Sequence, residues 1–409
     1  MSKQTMLLLF AFVVGCSSSM LPSIAISYGI AQFKFVTIVG EENALEAFSF
    51  AQGMVMLLLL IGVPVVGRLA DQFFSAANKR HYWIVIGNAL GLIALYGFSQ
   101  ATTRGQILTS WLCVLLSYTF ASNSFRALIP QLLPREKLSA YSGLIGSCIP
   151  VALTLNLMLI LGALADAAIN IKLMYLGGLQ FLLSAIAITI LLQYRRKHVP
   201  ERTVSRRSEE TSYRQYLVVL VAKTCISIAI SGTTVLPLYY ITRFGMEQSE
   251  VFVLNAAMSA GVILILLTGA LSTHYAEKFN KQRSFLALGA LFIGVGLIGY
   301  ASADTLVWAI ISGICFQLGL GPVNALGMAL VNRVLPNERR YGRDLAIVEA
   351  ATHFGPAMMH FAMPVVVATG ISLSGGDGYS LLFYCLVLFA AVFTGTLFFI
   401  KKEKSKGPI

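Results

Sequence analysis

The side chains with most chemistry to offer lie late in the chain. Glu349, His353 and His360 are spaced by four and seven residues, and at about 100° per residue they share one face of a helix. A carboxylate one turn from an imidazole makes a pair suited to accepting and releasing a proton. The plainer role is that Glu349 meets Arg343 or water while the histidines bond to backbone. Gln317 and Asn324, seven apart beside Gly319, Gly321 and Pro322, present two amides where the helix is loosened. Such amides hold a polar solute or bridge neighbouring helices. Ser19 and Ser23 beside Pro22, Tyr118, Asn156, Ser231 and Thr234 are further polar groups set in apolar surroundings. Together they could hold a polyol, although Ser and Thr also satisfy their own helix. These residues make up the candidate substrate set, with His353 and His360. The six cysteines all fall in apolar stretches without a CxxC pair, so no disulfide framework or zinc site follows. No catalysis, cofactor or metal is expected.

What must position these groups follows from composition. Of 409 residues, 57% are hydrophobic and 12% charged, and the mean hydropathy is +0.76. Soluble domains carry about 25% charge, so soluble enzymes and DNA-binding proteins are excluded. About 20 apolar residues cross a bilayer as a helix, and twelve such spans are predicted: 5–28, 47–66, 82–101, 106–129, 140–165 and 173–193, then 215–242, 251–272, 284–302, 305–330, 345–369 and 379–400. The fold class is an all-α polytopic membrane protein. Trp83, Trp111 and Trp308 fall near span ends, where indole favours the membrane interface. Lys223, two turns inside the seventh span, is expected to snorkel.

The net charge of +12 has a distribution that sets orientation. With the N-terminus inside, 25 of the 30 Lys and Arg fall in inner segments, whereas Lys34, Arg104, Lys172 and Arg243 lie in outer ones. Positive residues in short loops stay cytoplasmic, so both termini are placed in the cytoplasm and the protein in the cytoplasmic membrane. The imbalance needs no nucleic acid partner, although the seven positives of 195–214 could touch anionic headgroups. Val13-Val14-Gly15-Cys16-Ser17 resembles a lipoprotein signal, but cleavage there would leave eleven spans and break the even count on which this orientation rests.

An internal repeat appears at an offset of 202. The run Ala127 to Lys137 aligns with Ala329 to Arg339 at five identical and three conservative positions, and Gly67, Gly87 and Gly97 fall on Gly269, Gly289 and Gly299. Two six-span halves follow, residues 1–193 and 215–409, joined by a cytoplasmic linker, 194–214.

Gly67-Arg68-Leu69-Ala70-Asp71, with Asn78-Lys79-Arg80 after it, resembles the signature between the second and third spans of the major facilitator superfamily. The resemblance implies two pseudo-symmetric six-helix bundles that rock about a central cavity. It also implies a gating latch: Asp71 paired with Arg126 at the inner end of the fourth span and facing the start of the eleventh near Arg343 and Asp344, with Gly67, Lys79 and Arg80 completing the motif. The second copy carries Thr273 where the first has Asp71, so the latch belongs to one side. Tyr341-Gly342-Arg343-Asp344-Leu345 is similar to the opening of the eleventh span in the branch related to glycoside and sucrose symporters.

The expectation is a monomeric secondary carrier in the lipid bilayer. It moves a small polar solute, a sugar or glycoside, by alternating access with proton symport through Glu349 and His353. A proton-driven exporter of amphipathic compounds comes second. A membrane sensor or scaffold that transports nothing is the reading from another class. The orientation is testable with a fluorescent protein and alkaline phosphatase fused in turn to each terminus: fluorescence without phosphatase activity is expected at both, and phosphatase activity at either overturns it.

Overall fold

The computed structural model describes residues 3–74, 80–132, 152, 154, 156–195, 213–334 and 341–400. Among these the chain is helical almost throughout, because hydrocarbon offers backbone N–H and C=O groups no partner outside their own helix. Ten helices are long and apolar enough to span a membrane. An eleventh, Arg104–Leu132, has the length, its hydropathy diluted by Ser, Thr, Asn and Gln. Most of the fifth predicted span, 140–165, lies outside the described residues.

The chain divides into two compact units, Met1–Ser205 with Met246–Ser259, and Arg206–Gly245 with Ala260–Ile409. In the first, α1 (Lys3–Ala25), a π turn and α2 (Ala31–Val39) form the first span; α3 (Glu41–Phe74), α4 (Arg80–Gln100), α5 (Arg104–Leu132) and α6 (Ile169–Arg195) follow. In the second, α7 (Tyr213–Ser231), a 3-10 turn and α8 (Leu236–Phe244) form the seventh span. They are followed by α9 (Gln248–Ser259), which packs in the first unit, and then α10 (Val262–Phe279), α11 (Gln282–Ala301), α12 (Leu306–Val334), α13 (Tyr341–Ser374) and α14 (Tyr379–Leu397).

The repeat is visible in contacts as well as in sequence. In the first unit α4 packs on α5 and α6, and α1 on α6; in the second α11 packs on α12 and α14, and α7 on α14. Glycines set the closest approaches. A Cβ at Gly87 would stand 2.8 Å from the Ser117 carbonyl, and one at Gly289 would stand 2.9 Å from the Gly319 carbonyl. Gly97 faces Ser110, and Gly299 faces Ser312. Every glycine and every partner is displaced by the same 202 residues, so the duplication reaches the helix contacts themselves.

Several boundaries move from their predicted positions, each for a polar reason. The first span runs on to Val39 rather than 28. Gln32 and Lys34, which read as loop residues, are buried inside it because each finds carbonyl partners. Only Gly40, at φ +78, separates α2 from α3, a left-handed conformation that glycine adopts without strain. The predicted span 251–272 is two helices with a joint at Ala260–Gly261. Its outer piece, α9, packs on the π segment Asn156–Gly162, with the Phe252 ring edge-on to Phe33 at 4.6 Å and beneath the Lys172 ammonium at 3.9 Å. Trp111 is wholly buried and stacks on Phe48; the packing of α3 on α5 covers it, so it does not face the interface. Trp308 is 61% exposed.

Three of the four positives assigned to outer segments are bonded to backbone carbonyls at or just beyond helix ends. Lys34 donates to the Phe98 and Ser99 carbonyls at the end of α4. Arg243 Nε donates to the Ala303 carbonyl just beyond α11 at 2.8 Å, the third helix of the other half. Lys172, fully buried, donates to the Ala165 carbonyl at 2.8 Å. Cations at helix C-termini satisfy carbonyls that lack intrahelical partners and meet the negative end of the dipole.

Arg243 also bonds Asp377 at 3.2 Å and Ser380 at 3.0 Å, while Ser380 donates to the Ala301 carbonyl at 2.6 Å. One side chain thereby ties the ends of α8 and α11 to the start of α14. Its contact with Asp304, at 3.8 Å and with that carboxylate 92% exposed, adds little because water screens it.

The glycine contacts predict a contrast. Gly87→Leu drives a side chain into α5 and is expected to cost roughly 1–3 kcal/mol, read as a lower midpoint of thermal unfolding in detergent. Gly178→Ala, where a Cβ meets nothing within 4 Å, is expected to leave the midpoint unchanged or raise it.

Candidate functional site

The first span of each half is interrupted within its length. In the first unit the break is the π turn Ile26–Ile30, where Tyr28 (φ −112, ψ 24) and Gly29 (φ 172, ψ −59) leave helical geometry. The interruption frees carbonyls. Gln32 Nε2 recovers one by donating to the Ser27 oxygen at 2.7 Å.

In the second unit the break is the 3-10 turn Gly232–Val235. Here hydroxyls do the repair: Ser231 donates to the Ile228 carbonyl at 2.7 Å, Thr233 to Ile230 at 2.8 Å and Thr234 to Ser231 at 2.7 Å.

Two members of the predicted substrate set are brought together at that second break. Thr234 Oγ1 lies 3.4 Å from His360 Nε2, and His360 is 1% exposed. The approach of α13 to α7 is made possible by Gly355, where a Cβ would stand 2.8 Å from the side chains of Thr224 and Ile228. Ser231 and Thr234 have spent their donors on their own helix, which leaves oxygen lone pairs as what they can offer a solute. Ser19 is likewise bonded to the Gly15 carbonyl at 3.0 Å, and Ser23, one turn on, is half-buried.

Gln317 on α12 covers the joint between α9 and α10, since a Cβ at Gly261 would collide with its amide. His353 is half-buried on α13, seven residues from His360. Asn156 opens the π segment, and its side chain lies outside those described. So do the side chains of Glu349, Arg343 and Asp344 in α13, of Gly67 and Asp71 in α3, of Arg80 at the start of α4 and of Arg126 in α5. Lys79 lies outside the described residues altogether. The latch and the proton pair are therefore placed by helix and register only.

Tyr118 belongs to a buried network that the sequence did not reveal. Its hydroxyl donates to Gln180 Oε1 at 3.4 Å, and Gln180 Nε2 donates to Asn88 Oδ1 at 2.9 Å and Ser184 Oγ at 3.2 Å. Asn88 Nδ2 donates to Ser184 Oγ at 3.1 Å, and Ser184 exchanges a hydrogen bond with Ser18 at 3.0 Å. The network joins α1, α4, α5 and α6, with every member buried. Gly91 lies under the Tyr118 ring, where a Cβ would stand 2.6 Å away. Tyr118 thus faces the interior of its own unit. The signal was present as five polar residues spread over four apolar spans, but only tertiary packing made them converge.

Lys223 points its ammonium toward Gly327 in a cleft lined by Val219, Ile226, Leu286, Val323 and Phe393. Among the described residues no three His, Cys, Asp or Glu side chains are grouped to hold a metal.

Comparison with known proteins bears on what such a scaffold does. A family model described as Major Facilitator Superfamily matches residues 5–358. No curated protein matches the sequence. Among solved structures, the chain is similar to a bacterial homologue of the human lysosomal transporter Spinster, in its inward-facing and unoccupied conformation, at 14% identity and a TM-score of 0.69 over 98% of both chains. It is similar to the nucleoside transporter NupG at 13% identity and a TM-score of 0.64, over 98% of this chain and 100% of that one. A peptide transporter, POT, in complex with alafosfalin gives 13% identity and a TM-score of 0.70 over 96% and 94%. At these identities the likeness is one of fold.

The buried network predicts strong coupling. Gln180→Ala and Asn88→Ala should each destabilise the protein by roughly 1–3 kcal/mol, and a double-mutant cycle should return a coupling above about 0.5 kcal/mol. Additive losses in thermal unfolding would show that the two side chains act independently.

Proposed function

Because the chain belongs to the major facilitator superfamily, we propose that it is a secondary carrier moving a small polar solute, a sugar or glycoside, across the cytoplasmic membrane by alternating access. The observation that carries the reading is the matched pair of interruptions, Ile26–Ile30 and Gly232–Val235, in the first helix of each half. Irregular turns in the equivalent span of each repeat, about one helical turn apart under the 202-residue offset, are the kind of interruption around which a carrier builds a solute site. Ser23 precedes the first turn, and Ser231, Thr234 and His360 stand at the second, each able to hydrogen-bond without a fixed charge.

Proton symport is assigned to Glu349 and His353. One turn of α13 separates them, close enough for the carboxylate to hold a proton on the ring or receive it. The latch is assigned to Asp71 and Arg126, supported by the motif Gly67 to Asp71 and by the favourable placement of a carboxylate near a helix N-terminus. Breaking it would shift the balance between inward-open and outward-open states.

Counterflow in proteoliposomes loaded with methyl β-glucoside tests the reading. Wild type is expected to exchange labelled solute, and an inward proton gradient to drive net uptake. Glu349→Gln should retain exchange while losing the response to the gradient. Uptake that ignores the gradient in both proteins removes the proton from the mechanism.

A further inference from the structure

The first unit links buried polar side chains of α1, α4, α5 and α6 in one hydrogen-bonded network, yet on α3 it does the opposite. Gln52 is wholly buried, and neither its amide oxygen nor its nitrogen has a hydrogen-bond partner among the described residues. Ser49 Oγ, three residues earlier and on the same face, is also buried and unpartnered, as is Trp111 Nε1 on α5. Phe48, one turn before Gln52, stacks on Trp111 with ring centroids 5.9 Å apart, which places the three polar groups around one aromatic pair.

Depth strengthens the case. Since α2 and α3 turn on Gly40 alone, residues equidistant from it lie at about the same level, and Gln52 and Tyr28 are each twelve residues away. Gln52 therefore stands level with the break in the first helix, about 17 Å in from Glu41 at 1.5 Å per residue, near the middle of a ~30 Å core. An unpaired amide there costs stability, a cost that proteins accept where the group has work to do. The charged side chains Lys34 and Lys172 in this unit are already bonded to carbonyls, and charge at membrane depth is expensive.

We propose that Gln52, flanked by Ser49 and Trp111, is the recognition group for an uncharged solute bearing adjacent hydroxyls. Its amide donates to one hydroxyl oxygen and accepts from the next, while the Trp111 N–H and the Ser49 hydroxyl reach neighbouring oxygens. This deepens the carrier reading above and rests on it.

The test compares Gln52→Met, which keeps length and removes polarity, and Gln52→Glu with wild type. One measurement is thermal unfolding without solute; the other is counterflow of methyl β-glucoside, with a dipeptide as the charged control. Removing an unpartnered buried amide is expected to leave the unfolding midpoint of Gln52→Met unchanged or raise it, while KM for the glucoside rises about ten-fold or more in both variants. A lowered midpoint for Gln52→Met reveals a partner within the protein or a bound water and overturns the proposal, as does an unchanged KM. Wild type that exchanges the dipeptide and not the glucoside keeps the carrier and overturns the uncharged solute. Exchange of neither removes the carrier reading, and the proposal with it.

Discussion

Every backbone N–H and C=O group that enters hydrocarbon must find its hydrogen-bond partner inside the protein. That constraint accounts for the helices, which close their backbone bonds internally, and for the repairs wherever a helix is broken. Gln32 recovers the Ser27 carbonyl at the first break, and Ser231, Thr233 and Thr234 recover three carbonyls at the second. It also explains why Lys34, Lys172 and Arg243 sit on helix ends and not in open loops: a cation is tolerated near the membrane when carbonyl oxygens surround it.

Duplication supplies the second organising principle. Helix pairs repeat their closest contacts through glycines and partners shifted by one constant number of residues, so each unit inherits the same helix spacing. What differs between the units is the polar content laid over that frame. The first closes a Tyr, Asn, Gln and Ser network across four helices; the second instead gathers Thr234 and His360 at its break and ties its loops through Arg243. The two units thus share a scaffold and differ in the polar groups buried within it.

The sequence was most legible where the physics is one-dimensional. The helical, membrane-spanning character, the distribution of Lys and Arg, the repeat and the motif at Gly67 to Asp71 all follow from composition and order along the chain. The reading was least reliable at polar residues within spans. Gln32 and Lys34 resembled loop residues and turned out to be helical and buried, because their partners come from Ser27 and from the end of α4. Tyr118 resembled a solute contact and is committed to Gln180. Asn88, Gln180, Ser184 and Gln52 carry no signal along the chain, since each is an isolated polar residue in an apolar run.

By itself the sequence determined that this chain is a helical membrane protein built as two related halves, because hydrophobic length and charge placement act locally and survive without knowledge of the fold. Tertiary structure alone decided which polar side chains neutralise one another and which are left without partners. Hydrogen bonding is short-ranged and directional, so the fate of Tyr118 or Gln52 depends on which helix faces it across a few ångströms, a relation between residues far apart in the chain that order along the chain does not encode.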